Sequence, residues 1–198
     1  MSTATPTPNP QDHVREIAFT GIYLLAGSVD AGGMDGEGEL AKLAPEQRDR
    51  AINMAARRLA FQLVYELDQT RPRDEDVRPM VREALKGVAD LGPAGAEDIA
   101  GFVEGAYAGR GAADAEFAAL APEWPTHRQA AVDRALLRLA HYEITSGRTP
   151  ARVVVNETVE LAKHFSTEKA PAFVNALLDK VMKRVAGAGG ASGGTVGG

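Results

Sequence analysis

The residues of this chain that could do catalytic or metal chemistry are spread too widely to form a recognisable site. The four histidines, His13, His127, His141 and His164, lie far apart, and none has a second histidine at metal-ligand spacing. The chain contains no cysteine, which excludes thiol catalysis, disulfides and cysteine-ligated metals. It also lacks an HExxH pair, a nucleophile elbow and a glycine-rich phosphate loop after a strand. The sequence therefore predicts no catalytic residue, no metal site and no cofactor.

Basic residues form the pattern that favours a binding function. The whole chain has a net charge of -5, yet residues 128–184 contain ten basic and six acidic residues. Separate basic positions that fold onto one face bind phosphates, and adjacent aromatic rings can stack on bases. The basic positions of interest, on one predicted helix and around one predicted turn, are Arg50, Arg57, Arg58, Lys163 and Lys169. RNA binding is one interpretation of this pattern, and an ordinary solvated helix surface is the other.

Every periodic segment that must position these residues is predicted to be helical. Apolar residues recur three and four positions apart, which places them on one face of a helix. No pair of strands joined by a hairpin turn is indicated. The fold class is therefore predicted to be all-α, with about seven helices. The predicted helices cover residues 45–69, 77–91, 96–108, 112–121, 127–146, 150–165 and 168–185.

Local signals predict where three of these helices begin. Pro79 should force a late start or a kink in the segment 77–91, because proline has no amide hydrogen to donate. Thr126 and Gln129 have the spacing of a capping box for the helix 127–146. Thr149 is expected to be the N-cap of the next helix, with Pro150 at its first position.

The segment 127–146 is predicted to be the central and most buried helix. Its apolar residues cover more than half of the circumference, and only a strip through Arg134, Arg138 and His141 is polar. Glu143 continues an apolar row and should lie at the edge of the core. Because a buried carboxylate requires a cation or hydrogen-bond donors, we expect Glu143 to serve the fold rather than acid–base catalysis.

Both ends of the chain differ from its middle. Residues 1–44 are predicted to be a flexible acidic extension with one helix near 12–26, and residues 187–198 a disordered glycine-rich tail. The folded domain is expected at 45–186. No segment reaches the roughly 18 apolar residues that cross a bilayer, and the amino terminus lacks the pattern of a secretory signal. The expectation is a cytoplasmic protein without a membrane partner.

Three segments of the carboxy-terminal half resemble the signature of the NusB family. They are VDRALLRLAHYEI at 132–144, TPARVVVNETVELAKHFS at 149–166 and AFVNALLDKV at 172–181. Upstream, RRLAFQLVYELD at 57–68 is similar to the family's first helix. The resemblance covers about residues 57–184.

The resemblance implies a non-enzymatic protein of two packed helical bundles, here with an extra amino-terminal helix. It implies partnership with the small-subunit ribosomal protein NusE and binding of the single-stranded boxA element in ribosomal RNA leaders. It further implies action within the transcription elongation complex. The residues it assigns to RNA are Arg57, with Arg50 and Arg58 nearby, and Lys163 and Lys169. The residues it assigns to the partner protein are Tyr65 and Asp133.

The chain departs from the family pattern at the start of this helix. The family usually has several consecutive arginines there, whereas this chain has Asn53-Met54-Ala55-Ala56 before Arg57. Fewer phosphate contacts would weaken RNA binding and flatten its salt dependence. One alternative is therefore a helical protein-interaction scaffold with reduced RNA affinity. Another is an RNA-binding module related to the amino-terminal domain of ribosomal RNA cytosine methyltransferases. A further hypothesis is that the acidic extension competes with RNA for the basic face.

Overall fold

The computed structural model describes residues 44–86 and 92–191, and this part of the chain contains seven α-helices, one short 3₁₀-helix and no strand. The helices are α1 (Pro45–Thr70), α2 (Asp74–Leu85), α3 (Gly92–Ala108), α4 (Arg110–Leu120), α5 (Ala131–Ser146), α6 (Ala151–Phe165) and α7 (Ala170–Ala191). The 3₁₀-helix Thr126–Arg128 precedes α5. The predicted all-α class is confirmed. The predicted amino-terminal helix near 12–26 lies outside the described residues.

The boundary between α1 and α2 is set by backbone conformation and charge. Helix α1 ends at Thr70 because Arg71 adopts a left-handed conformation with φ of 48°. Helix α2 spans Asp74–Leu85 rather than the predicted 77–91, and Pro79 lies inside the helix, so of the two predicted effects the late start does not occur. Three acidic residues in the first turn, Asp74 to Asp76, favour the earlier start because they face the positive end of the helix dipole.

The predicted capping box before α5 is also wrong. Thr126 opens the 3₁₀-helix instead, and α5 begins at Ala131 without a side-chain cap. The Gln129 amide donates to the Trp124 carbonyl at 3.2 Å, and the Thr126 hydroxyl donates to the Asp114 carbonyl at 3.4 Å. Both predicted capping side chains therefore bind groups outside α5.

Helices α6 and α7 differ from their predicted limits by a few residues. Pro150 is the N-cap of α6, so the predicted N-cap at Thr149 is one residue early. The Pro150 carbonyl accepts hydrogen bonds from the amides of Val153 and Val154, and these bonds form the first turn of the helix. Helix α7 continues to Ala191, past the predicted start of the tail at 187, because extending an existing helix avoids the cost of nucleation.

The chain divides into two compact units. Among the described residues, the first unit combines residues 44–59, 82–86 and 92–99, and the second combines residues 60–81 and 100–191. In the first unit, the Arg82 guanidinium donates to the Glu97 carboxylate at 2.9 Å and joins the end of α2 to the start of α3.

Helix α5 is the centre of the second unit. Helices α6 and α7 pack against each other and against α5, while α4 packs on α5 and α7. Most residues of α5 are buried, from Asp133 to Ile144, which confirms the prediction of a central helix. The rings of Phe61 on α1 and Phe165 on α6 lie 5.3 Å apart and attach α1 to this group.

Helix α3 approaches α5 closely at Gly105. A Cβ atom added there would lie 2.2 Å from Cζ of the Tyr142 ring, so any larger residue would require this ring to shift. The Tyr142 ring also contacts Phe102 at a centroid distance of 5.7 Å. The glycine therefore sets the distance between the two helices at this point.

Candidate functional site

The predicted RNA-binding arginines all lie on α1, in its first-unit part. Arg57 and Arg58 are only 8% and 3% exposed. Arg50 lies two helical turns before Arg57, and its side chain is outside the described part of the structure. The sequence pattern alone does not indicate that Arg57 and Arg58 are so strongly buried.

The two predicted lysines frame the turn between α6 and α7 and are both exposed. Lys163 stands in the last turn of α6, where its charge complements the negative end of the helix dipole. Its ammonium pairs with Glu160 at 2.8 Å, and the lysine side chain is 54% exposed whereas the glutamate side chain is 16% exposed. An ammonium has three N–H donors, so Lys163 can keep this carboxylate and still donate to a phosphate. Lys169 directly precedes α7.

The predicted partner residue Asp133 lies next to this turn. Its side chain is buried, and Oδ1 accepts a hydrogen bond from the Ser166 hydroxyl at 2.5 Å. Ser166 is the C-cap of α6, so this bond joins the first turn of α5 to the end of α6. Asp133 thus positions, in the free protein, the turn between α6 and α7 that Lys163 and Lys169 flank, called the lysine turn below. Tyr65, the second predicted partner residue, is half-buried on α1.

A buried ion-pair network occupies the polar strip predicted on α5. Arg138 donates to Asp114 through Nε at 2.9 Å and through Nη2 at 2.6 Å, while its Nη1 donates to Asp68 at 2.5 Å. Arg134 contributes two further bonds to Asp68. Burial raises the pKa of Asp68, but the two guanidiniums outweigh it and the net pKa is lowered. The network therefore joins α1, α4 and α5 through charged groups.

The third polar residue of the strip, His141, belongs to a second network. Its Nε2 lies 2.9 Å from Oε2 of Glu116, and Glu116 also accepts two hydrogen bonds from Arg184 on α7. Burial raises the pKa of Glu116, yet Arg184 and His141 lower it by more, so the net pKa lies below the usual value. The His141 ring also meets the Phe117 ring edge-on at 5.7 Å. These contacts bind α4, α5 and α7 together.

Glu143, which the sequence predicts to lie at the edge of the core in a structural role, is 2% exposed on α5 and is therefore fully buried. No cluster of three or more metal-ligating side chains occurs among the residues that the structure describes. Within the same residues, no helix is both long and apolar enough to cross a membrane.

Sequence reasoning missed the surface loop between α4 and α5. Trp124 is 45% exposed there, and the Arg128 guanidinium lies 5.0 Å from its ring centroid. The available signal was the tryptophan itself, the only one in the chain, followed four residues later by an arginine. Nothing in the local sequence shows that this tryptophan stays at the surface, since its exposure depends on how the loop packs.

Comparison with known proteins places these observations in a family. The model of the NusB family matches residues 54–183. The protein named "Transcription antitermination protein NusB" from Symbiobacterium thermophilum is 40% identical over 141 residues, which cover 69% of this chain and 92% of that protein. The protein of the same name from Elusimicrobium minutum is 36% identical over 130 residues, which cover 65% of this chain and 91% of that protein.

A solved structure supports the same relationship. The structure of T. maritima NusB matches with a TM-score of 0.57 and 28% sequence identity. The match covers 66% of this chain and 89% of that one. The matched portion of the present chain therefore corresponds to nearly the full length of its relatives, and its fold is theirs.

Proposed function

The chain belongs to the NusB family of transcription antitermination proteins, and on this premise we propose that it binds boxA-like, single-stranded RNA of ribosomal RNA leaders together with the ribosomal protein NusE. The pair would act within the transcription elongation complex in the cytoplasm. Binding and positioning, rather than catalysis, would be its contribution. The observation that carries the proposal is the exposed pair of lysines at the turn between α6 and α7.

Lys163 and Lys169 have the properties that a phosphate contact needs. Both are exposed, both lie beside a short turn, and the turn is fixed by the hydrogen bond from Ser166 to Asp133. A fixed cationic turn loses little conformational entropy when it binds a phosphate. Asp133 also offers a route by which a protein bound at the start of α5 would influence RNA bound at the turn, because its carboxylate contacts the turn directly.

The arginines of α1 are assigned a smaller part in the proposal. The strong burial of Arg57 and Arg58 means that a phosphate could reach either guanidinium only after neighbouring groups move. We therefore expect the two lysines to account for more of the phosphate binding than these two arginines do.

The test is a titration of fluorescently labelled boxA-like RNA with the full chain, with and without purified NusE, followed by anisotropy at several salt concentrations. Affinity that rises when NusE is present supports the proposal. Replacing Lys163 and Lys169 by alanine should reduce the slope of log affinity against log salt by about 0.7 for each phosphate that is no longer bound. Lys86→Ala is a matched control, because Lys86 is also exposed and also pairs with a glutamate three residues away.

The alternatives predict other results. A protein-interaction scaffold would bind NusE without measurable RNA affinity in either condition. A module of the methyltransferase type would bind RNA equally well without NusE. A salt slope that stays unchanged in the double lysine variant would remove the lysine turn from the RNA interface.

A further inference from the structure

Trp124 stands out among the large apolar side chains of the second unit. Aromatic side chains of this size bury most of their surface in folded proteins, yet nearly half of Trp124 remains exposed even with Arg128 over its ring. The residue lies between α4 and α5, in a loop that neither ion-pair network includes. An aromatic group held at the surface is available for stacking.

The loop that carries Trp124 is held in a defined conformation. The Trp124 amide donates to the Ala121 carbonyl at 2.9 Å, and the Arg128 amide donates to the Pro125 carbonyl at 2.8 Å. The buried side chain of Gln129 donates to the Trp124 carbonyl at 3.2 Å. Because these bonds fix the backbone on both sides of the indole, binding to the ring would cost little ordering of the loop.

Positive charge lies next to the ring and at the start of its loop. The Arg128 guanidinium lies 5.0 Å from the ring centroid, within the range of a cation–π contact. The exposed Lys180 of α7 donates to the carbonyl of Leu120, the last residue of α4, at 2.9 Å, which holds its ammonium close to where the loop begins. An ammonium has three N–H donors, so Lys180 retains donors for a further acceptor. The ring and the guanidinium thus offer stacking with charge, and the ammonium adds a second charge at the start of the same loop.

The local surface suits a nucleobase better than a protein. A stable protein interface buries about 800 Å² on each partner around an apolar centre. Here the one large apolar group exposed is the Trp124 ring, and its loop neighbours Glu123, His127 and Arg128 are exposed polar residues. A single unpaired base needs only one aromatic or guanidinium face to stack on, and its phosphate needs a nearby cation.

We propose that Trp124 and Arg128 form a stacking platform for an unpaired base of single-stranded RNA, and that Lys180 binds a phosphate beside it. The platform is an RNA contact additional to the lysine turn and to the arginines of α1. It rests on the proposed RNA-binding function, and it specifies where the RNA strand contacts an aromatic ring.

The experiment uses Trp124 as its own reporter, because it is the only tryptophan of the chain. Unlabelled boxA-like RNA is titrated into the full chain, with NusE present if the anisotropy assay shows that NusE is needed, and tryptophan emission is corrected for that of NusE alone. Stacking of a base on the indole should quench the emission. Inorganic polyphosphate serves as the comparison, since it carries the charge of a phosphate backbone without bases and should leave the emission nearly unchanged.

Three variants then separate stacking from charge. Trp124→Ala should weaken RNA binding at least about fivefold, with the salt slope unchanged because no charge is removed. Trp124→Phe should recover part of this loss, whereas Arg128→Ala should weaken binding and also flatten the salt slope. Val153→Ala, which trims another exposed apolar side chain, is the control and should bind like the parent. Thermal unfolding of each variant verifies that the fold is retained.

The outcomes distinguish this proposal from the proposed function. If RNA binds by anisotropy but neither the emission nor the affinity of Trp124→Ala responds, the platform is rejected and RNA binding stands. Equal quenching by polyphosphate also rejects it, since no base is then required. If Trp124→Ala weakens binding of NusE and leaves RNA affinity unchanged, the ring is a protein contact instead. If no RNA binds under any condition, both proposals fail.

Discussion

Replacement of Arg138 by methionine tests how the charged network supports the fold. Arg138 is buried on α5 and makes hydrogen bonds to Asp114 on α4 and Asp68 on α1. Methionine keeps much of the length of the side chain but removes the guanidinium, so both carboxylates lose donors while remaining largely out of water. The unfavourable part of the change is thus the stranded negative charge.

The size of the stability loss depends on which partners Asp68 and Asp114 retain. Removing a single partner from a buried ion pair typically costs about 3–5 kcal/mol. Asp68 would still bind Arg134, and the Asp114 side chain is 27% exposed and can be hydrated, so the low end applies. We expect a loss of about 3 kcal/mol in the free energy of unfolding, roughly 6–12 °C in Tm for a domain of this size.

Chemical denaturation followed by circular dichroism measures this loss directly. Arg152→Met is the matched control, because Arg152 is exposed on α6 and its replacement should change stability by no more than about 0.5 kcal/mol. Adding Asp114→Asn to Arg138→Met should restore part of the stability by removing a stranded charge. A loss below about 1 kcal/mol for Arg138→Met, or no recovery in the double variant, would refute the reasoning.

Two further predictions concern close packing and pH. Gly105→Ala should be about 1–3 kcal/mol less stable than Gly101→Ala by thermal unfolding, because its methyl group collides with Tyr142 whereas the one at Gly101 meets nothing within 4 Å. Equal stabilities, or a difference that survives Tyr142→Leu, would contradict this. Asp68 and Glu116 have lowered pKa values, so the stability they add is present above their ordinary values of 3.8 and 4.5 and is lost as pH falls through the lower folded-state values. The free energy of unfolding should therefore decrease below about pH 4.5, and Asp68→Asn with Glu116→Gln should flatten that decrease.

The sequence could predict the exposure of the basic residues at the lysine turn better than that of the arginines on α1. The exposure of Lys163 and Lys169 follows from the predicted helix limits, because residues at a helix end beside a turn are usually solvated. The burial of Arg57 and Arg58 does not follow, since their helix carries apolar residues on several sides and only packing decides which side faces inward. The sequence thus indicated a basic surface without indicating which of its members are accessible.

Helix starts show a similar division. Apolar spacing located all seven described helices, because the stripe that packs on the core repeats with the helical period. It did not locate every end, since α2 ends at Leu85 rather than 91 and α7 at Ala191 rather than 185. The capping box at Thr126 was wrong because its side chain found a carbonyl on α4, a group outside the local segment. Local signals of this kind compete with tertiary partners that a sequence does not show.

By itself the sequence determined the all-helical class, the central place of α5 and the family, because each depends on the order and periodicity of residue types along the chain. The tertiary structure alone decided which acids meet the α5 arginines, that Asp133 anchors the lysine turn, and that Trp124 stays at the surface beside Arg128. These pairings join residues up to 70 positions apart. Their energies depend on distances and burial, which exist only once the helices have packed.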